Sequence, residues 1–147
     1  MVGIPYEVAT DIQVRWRDLD ALGHVNNAVY LSYLETARVA YFKALLGDVK
    51  PTDFTIIIAR IEIDYLAPVS LTDEPECQIT ISSIGRKSFD FSYLLKSRQS
   101  GLKLATARSV QVCYDYKLGK SVPISEFFWQ RIQKLRKDNG LGVLERR

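Results

Sequence analysis

Between residues 28 and 46 the apolar side chains recur at the spacing of an α-helix, and further along the chain they recur at every second residue. A chain patterned this way must bury one long helix against extended strands. Tyr30, Tyr33, Leu34, Ala37, Ala40, Tyr41, Ala44 and Leu45 fall within one broad arc, with Ser32, Thr36 and Lys43 opposite. Gly47 and Pro51 follow as stop signals. Upstream, Ile12 to Arg17 alternates in type and predicts a strand that ends at the turn-rich stretch Asp18 to Asn27.

Downstream of the helix, Ile57, Ala59, Ile61, Ile63 and Tyr65 alternate with Arg60, Glu62 and Asp64, the pattern of a strand with one wet face, which Pro68 terminates. Cys77, Ile79 and Ile81 alternate with Gln78, Thr80 and Ser82, and Phe89, Phe91 and Tyr93 alternate with Asp90 and Ser92. Gly85 to Ser88 between them reads as a hairpin turn. From Leu102 to Tyr116, Leu104, Val110, Val112 and Tyr114 lie on one face and the small Ala105, Ala107 and Ser109 on the other, where a helix can approach closely. Ser125 is a helix N-cap for a second helix, Glu126 to Lys137, whose apolar residues suit an edge or outer surface. Period counting therefore gives an α+β chain in which helix and antiparallel sheet are segregated.

A chain of 147 residues suits one domain and shows no internal repeat or linker. The N-terminus has neither a basic nor an apolar leader segment, so secretion is not expected. Ala28 to Leu46 is interrupted by Glu35, Arg38 and Lys43, so no membrane span is expected. Cys77 and Cys113 suit reduced, packed thiols in a cytoplasmic protein, and with His24 as the only histidine no metal site is expected. The net charge of +3 owes much to Arg131, Lys134, Arg136, Lys137, Arg146 and Arg147. Such a basic tail raises nucleic-acid binding, but it reads first as a solvated face, and no stacking motif accompanies it.

The chemistry concentrates in Asp18 to Tyr30. An aspartate is a carboxylate at neutral pH and serves as base or nucleophile without further activation. Gly23 allows a tight path beside a ligand. Unpaired N–H groups around Asn26 to Ala28, at a helix start, form a receptor for negative charge developing on a carbonyl oxygen. Together they suit acyl transfer, and the same composition also suits a segment that merely caps a helix.

The run Asp18-Leu19-Asp20-Ala21-Leu22-Gly23-His24-Val25-Asn26-Asn27-Ala28-Val29-Tyr30, continued to Arg38, resembles the opening signature of the 4-hydroxybenzoyl-CoA thioesterase-like family of hot-dog acyl-CoA thioesterases. Glu62 to Pro68 and Gly85 to Phe89 are similar to later landmarks of that family, so the resemblance spans about residues 12 to 124. It implies a five-stranded antiparallel sheet wrapped around one long central helix, with the C-terminal helix added. It also implies hydrolysis of an acyl-CoA thioester by a homodimer or homotetramer, without a cofactor. Asp20 is then the catalytic carboxylate, as nucleophile or general base, with Asp18 a structural neighbour. The Asn27 backbone, or its neighbour, holds the thioester oxygen. His24 corresponds to a histidine that takes part in catalysis in related plant acyl-carrier-protein thioesterases, whose additional asparagine is replaced here by Leu22. Asn26 and Tyr30 are candidate substrate contacts in the same segment. Arg86, Lys87 and Ser88 occupy the turn that binds the phosphates of coenzyme A in the family, and cationic turns suit phosphate.

Two other readings stay open at this point: an acyl-binding protein that keeps the fold without catalysis, and a hydratase or dehydratase of the same fold. Ala21-Leu22-Gly23 lacks the Asn-Pro type of pattern that precedes the histidine in those lyases. A serine hydrolase is disfavoured by the absence of a Gly-x-Ser-x-Gly elbow.

Overall fold

A computed structural model describes residues 5–47, 50 and 55–147. Five main strands form one antiparallel sheet: β1 (Val8–Asp11), β2 (Ile56–Tyr65), β3 (Pro75–Ile84), β4 (Ser88–Ser97) and β5 (Lys103–Asp115), in the order β1-β3-β4-β5-β2. A two-residue β6 (Lys120–Ser121) pairs with the end of β5 and leaves no pattern in the sequence. The long helix α1 (Tyr30–Leu46) lies on one face of the sheet, and α2 (Glu126–Asp138) follows. This is the architecture that the resemblance implies.

Aromatic side chains join α1 to the sheet. Tyr41 meets Phe91 edge to face at 4.8 Å, and Phe42 contacts both Phe89 and Phe91. On β5 the face toward the helix is the small-residue face, as expected, with Ala105, Ser109 and Cys113 buried there. Its polar members are satisfied in a chain: Arg38 donates to the Tyr93 hydroxyl, that hydroxyl meets Ser109 Oγ, and Ser109 in turn meets Gln111. Arg38 therefore turns inward.

The structure revises three expectations. The strand over Ile12 to Arg17 is not formed: β1 ends at Asp11, Ile12 adds one backbone bond to Pro75, and Trp16–Asp18 is a 3-10 turn. The alternation there is real, but Asp18 draws the Arg15 N–H back onto its carboxylate and leaves Trp16 77% exposed. On β2, odd residues do not share one face throughout, because the register with β5 shifts between Ile58 and Arg60. Ile56 and Ile58 lie opposite Cys113 and Gln111, and after the bulge Ile61 and Ile63 lie opposite Ser109 and Ala107, so even positions face the helix first and odd positions afterwards. Finally, α2 does not sit on an outer surface. Phe128 and Ile132 enter the main core, with Phe128 against Phe89 at 5.3 Å. Ser125 caps α2 as expected, accepting from the Phe128 N–H, whereas Pro51 lies outside the described residues. Cys77 and Cys113 are both buried free thiols, pushed up to about 12 and about 11 by burial, which keeps them neutral and unreactive.

An internal ion pair locks α2 in place. Glu7, its side chain fully buried, accepts from Arg136, from the Tyr41 hydroxyl and from the Ile81 N–H. Arg136→Ala leaves that carboxylate without its cation, and an uncompensated buried charge costs about 3–5 kcal/mol. The expected outcome is a lower urea midpoint with an unchanged slope, measured by equilibrium unfolding.

Candidate active site

The segment between β1 and α1 is built around a buried charge. Asp18, 1% exposed, accepts from the Arg15 N–H at 2.9 Å, the Arg15 guanidinium at 2.9 Å and the Tyr33 hydroxyl at 2.7 Å. Burial pushes its carboxyl up, but the Arg15 backbone, the Tyr33 hydroxyl and the Arg15 guanidinium outweigh this and hold it below the ordinary carboxylate range. Asp18 is thus the structural neighbour that the sequence suggests.

From this anchor the chain doubles back on itself. Asn26 N–H donates to the Asp18 carbonyl and Asp20 N–H to the His24 carbonyl, while Leu19 faces Val25 across a short bridge. Gly23 takes φ +81° at the bend, a left-handed conformation that disfavours other residues. At the base of the loop the buried Val25 donates its N–H to the Val69 carbonyl, and His24 bridges to Ser70.

Asp20 stands at this bend and is exposed. Its Oδ1 accepts from the Leu22 N–H at 2.8 Å and the His24 N–H at 3.2 Å. Its Oδ2 takes no hydrogen bond from any described residue. One oxygen of this carboxylate thus braces the loop, and the other makes no bond to a described residue. The His24 side chain is likewise exposed and makes no bond to a described residue.

Asn27–Val29 is a 3-10 turn leading into α1. Most of the N–H groups that the sequence offers here are taken: Ala28 donates to Asn26 Oδ1 at 2.9 Å, Val29 to the Asn26 carbonyl and Asn26 itself to Asp18. Among the described residues, none accepts from the Asn27 N–H. Asn26 spends its side chain on the cap. Tyr30, 4% exposed, is the first residue of α1, and burial keeps its hydroxyl protonated by raising it above the usual tyrosine value.

Asp20, His24, Asn27 and Tyr30 line a single cleft of about 360 Å³, together with Val25 and the segment Tyr65 to Pro68. Four of the residues selected from sequence are therefore brought together. Tyr65 belongs to the same site, and sequence reasoning misses it, although the Glu62 to Pro68 landmark contains it. Arg86, Lys87 and Ser88 are not part of this cleft. They form the β3–β4 turn at the far end of the sheet, about 30 Å away along strands of this length. There Arg86 is exposed, Lys87 reaches Ser121, and Ser88 accepts from Arg147.

The basic tail spends most of its charge on the protein itself. Arg131 lies over Phe127, Arg146 over Trp129 and Lys134 beside Asp138, while Arg147 meets Ser83 and Asp90. Among the described residues no cluster of three His, Cys, Asp or Glu is assembled as a metal-ligand set, and no helix is long and apolar enough to cross a membrane.

A curled antiparallel sheet around one long helix, with a carboxylate cleft at the start of that helix, defines a hot-dog protein equipped for acyl chemistry. The chain belongs to the thioesterase-like superfamily, whose family model matches residues 14–132. A thioesterase from Thermus thermophilus, solved in complex with coenzyme A and Zn, is similar at 36% identity and a TM-score of 0.81, covering 90% of this chain and 96% of that one. The long-chain acyl-CoA thioesterase FadM of Escherichia coli (strain K12) is 27% identical over 133 residues, 87% of this chain and 98% of FadM. The 1,4-dihydroxy-2-naphthoyl-CoA hydrolase of Synechococcus elongatus is 27% identical over 118 residues, 77% of this chain and 85% of that enzyme.

The Asp18 cluster has a defined pH signature. Its folded carboxyl titrates below the unfolded value of about 3.9, so its contribution to stability is complete above that value and is lost as pH falls through the lower, folded one. Asp18→Asn removes the contribution. Its melting temperature is expected to lie below wild type at pH 7, with the gap narrowing as pH falls below the unfolded value of about 3.9, as followed by thermal denaturation.

Proposed function

We propose that the protein is an acyl-CoA thioesterase, hydrolysing an acyl-CoA to the free acid and coenzyme A. The observation that carries this reading is that the unshared Oδ2 of Asp20 and the unclaimed Asn27 N–H belong to residues lining one cleft. A thioester carbonyl held by that N–H presents its carbon to the carboxylate. As a nucleophile, Asp20 forms a mixed anhydride while the C–S bond breaks, and water then cleaves the anhydride. As a general base, it takes a proton from the water that attacks. In either case the charge that builds on the carbonyl oxygen is met by the Asn27 N–H. His24, exposed at the same cleft, orients that water or passes a proton to the departing thiolate.

The working unit in this proposal is a homodimer, or a tetramer built from dimers. Strand β2 is the edge of the sheet and pairs with β5 alone among the described residues; its Ile58 and Tyr65 expose apolar surface, as do Leu31 and Val39 on α1. An unpaired edge and an apolar flank favour a second copy. A two-fold axis that sets β2 against its copy reverses the strand direction. The partner's Arg86-Lys87-Ser88 turn then lies at the same end of the double sheet as this protomer's Asp20 loop, where it can hold the phosphates of coenzyme A. A cleft of about 360 Å³ is near the lower limit for ligand sites, in keeping with a site completed by a partner. The enzyme acts in the cytoplasm on a coenzyme A thioester, with no cofactor and no membrane or nucleic-acid partner. The neutral buried thiols and the self-engaged tail arginines support that placement.

Asp20→Asn preserves shape but removes the charge, so kcat on the best substrate from a panel of aromatic, short-, medium- and long-chain acyl-CoAs is expected to fall by roughly 10²- to 10⁴-fold. Asp18→Asn should cost far less turnover. Retention of more than about a tenth of wild-type kcat/KM by folded Asp20→Asn, a loss under about 1.4 kcal/mol, rules Asp20 out as the attacking group.

The shared site is tested by mixing. Arg86→Ala/Lys87→Ala is expected to raise KM with kcat little changed. Co-refolded with Asp20→Asn, it should regain sites of wild-type KM, because its Asp20 then faces an intact partner turn. Mixtures no better than the sum of the two variants contradict sharing.

A further inference from the structure

The Asn27 N–H is held on a slender element. Asn27–Val29 is one turn of 3-10 helix, whose hydrogen bonds are poorer than those of an α-helix, and Asn27 and Ala28 are both exposed, so packing contributes little to its position. Two of its restraints are local, the Asn26 cap on Ala28 and the Val29 bond to the Asn26 carbonyl. One comes from a distant part of the chain: the Tyr65 hydroxyl donates to the Asn27 carbonyl at 3.0 Å, across 38 residues of sequence.

Tyr65 is itself well placed to act as a fixed post. It is the last residue of β2, in register with Ala105. Its ring stands edge to face on Tyr30 at 4.8 Å and 89°, and Tyr30 is buried at the start of α1. The strand fixes its backbone, the Tyr30 ring fixes its plane, and its single hydroxyl proton is committed to Asn27.

We propose that Tyr65 is a positioning residue for the reaction: its hydroxyl anchors the Asn27 carbonyl and so holds the neighbouring Asn27 N–H aimed into the cleft, setting how well the developing oxyanion is stabilised. This rests on the thioesterase reading above. Oxyanion donors work because they are in place before charge develops, and misplacement of a catalytic group by about 1 Å can cost on the order of 100-fold in rate. Tyr65 does not touch the reacting atoms in this role. Its effect passes through Asn27 and therefore belongs to kcat rather than to KM.

The test is Tyr65→Phe, which removes one oxygen and keeps the ring on Tyr30. The expected result is a fall in kcat of about 10-fold or more, with KM within about twofold and the melting temperature within about 2 °C of wild type. In parallel, amide hydrogen exchange should quicken at Ala28 and Val29 while the amides of β3 and β4 stay as protected as before. Tyr65→Leu, which also removes the ring, should lose at least as much turnover. Wild-type kcat in Tyr65→Phe overturns the proposal. A raised KM with unchanged kcat overturns it as well, since the hydroxyl would then be binding substrate. So does a large drop in melting temperature with kcat per folded molecule unchanged, which marks a purely structural tyrosine. If the wild-type protein hydrolyses none of the acyl-CoA panel, the thioesterase reading fails by itself. The exchange measurement still decides Tyr65, because unchanged exchange at Ala28 and Val29 removes the anchor.

Discussion

A carboxylate taken out of water must be compensated, and Asp18 meets that requirement in a way that organises everything near the cleft. To satisfy it, the chain turns at Arg15, brings Tyr33 of α1 against β1's extension and returns Asn26 to the Asp18 carbonyl. The helix start, the loop and the end of the first strand are thereby tied to one point. Asp20 is two residues away from it and inherits a fixed position while remaining in solvent. The buried aspartate supplies rigidity, and the exposed one keeps the unshared oxygen that the proposed chemistry requires.

The sheet contributes to the same site from the opposite direction. Strand β2 ends beside the loop, and its final tyrosine reaches Asn27, so the Asn27–Val29 turn is held both by its own sequence neighbours and by the far side of the fold. The aromatic contacts of Tyr41 and Phe42 with Phe89 and Phe91 set the height of α1 above the sheet, and the small residues of β5 permit that approach. The carboxylate and the N–H donor thus arise from a loop and a turn that would be mobile alone, but each is attached to a rigid layer.

Much of this is legible in the residues. The helix appears as a 3.6-residue period, β3, β4 and β5 appear as alternation, and the loop is recognisable from Asp20, Gly23, His24 and Asn27. What escapes depends on tertiary demands that local patterns do not carry. Ile12 to Arg17 alternates as a strand does, yet the need of Asp18 for donors converts its end into a 3-10 turn. The amphipathic pattern of Glu126 to Lys137 cannot show that Phe128 reaches the central core, because that depends on the space left beyond Phe89. Tyr65 reads as an ordinary strand residue, since a hydroxyl's partner 38 residues away leaves no periodic trace. The separation of Arg86 from Asp20 is likewise a matter of strand direction, visible only once the sheet order is known.

The register shift at Ala59 changes how relatives of this chain should be compared. Because the extra residue of the bulge has no partner of its own on β5, one residue removed at this point leaves the facing of both halves intact, whereas the same change elsewhere in the strand turns its apolar residues outward. Deleting Ala59 would make β2 a continuous ladder on β5 and leave Ile56, Ile58, Ile61 and Ile63 on the face they already occupy. A single-position gap at Ala59 in an alignment therefore records the loss of a bulge with inside and outside preserved, whereas an ungapped match to an unbulged strand would set inward residues against outward ones on one side of this point.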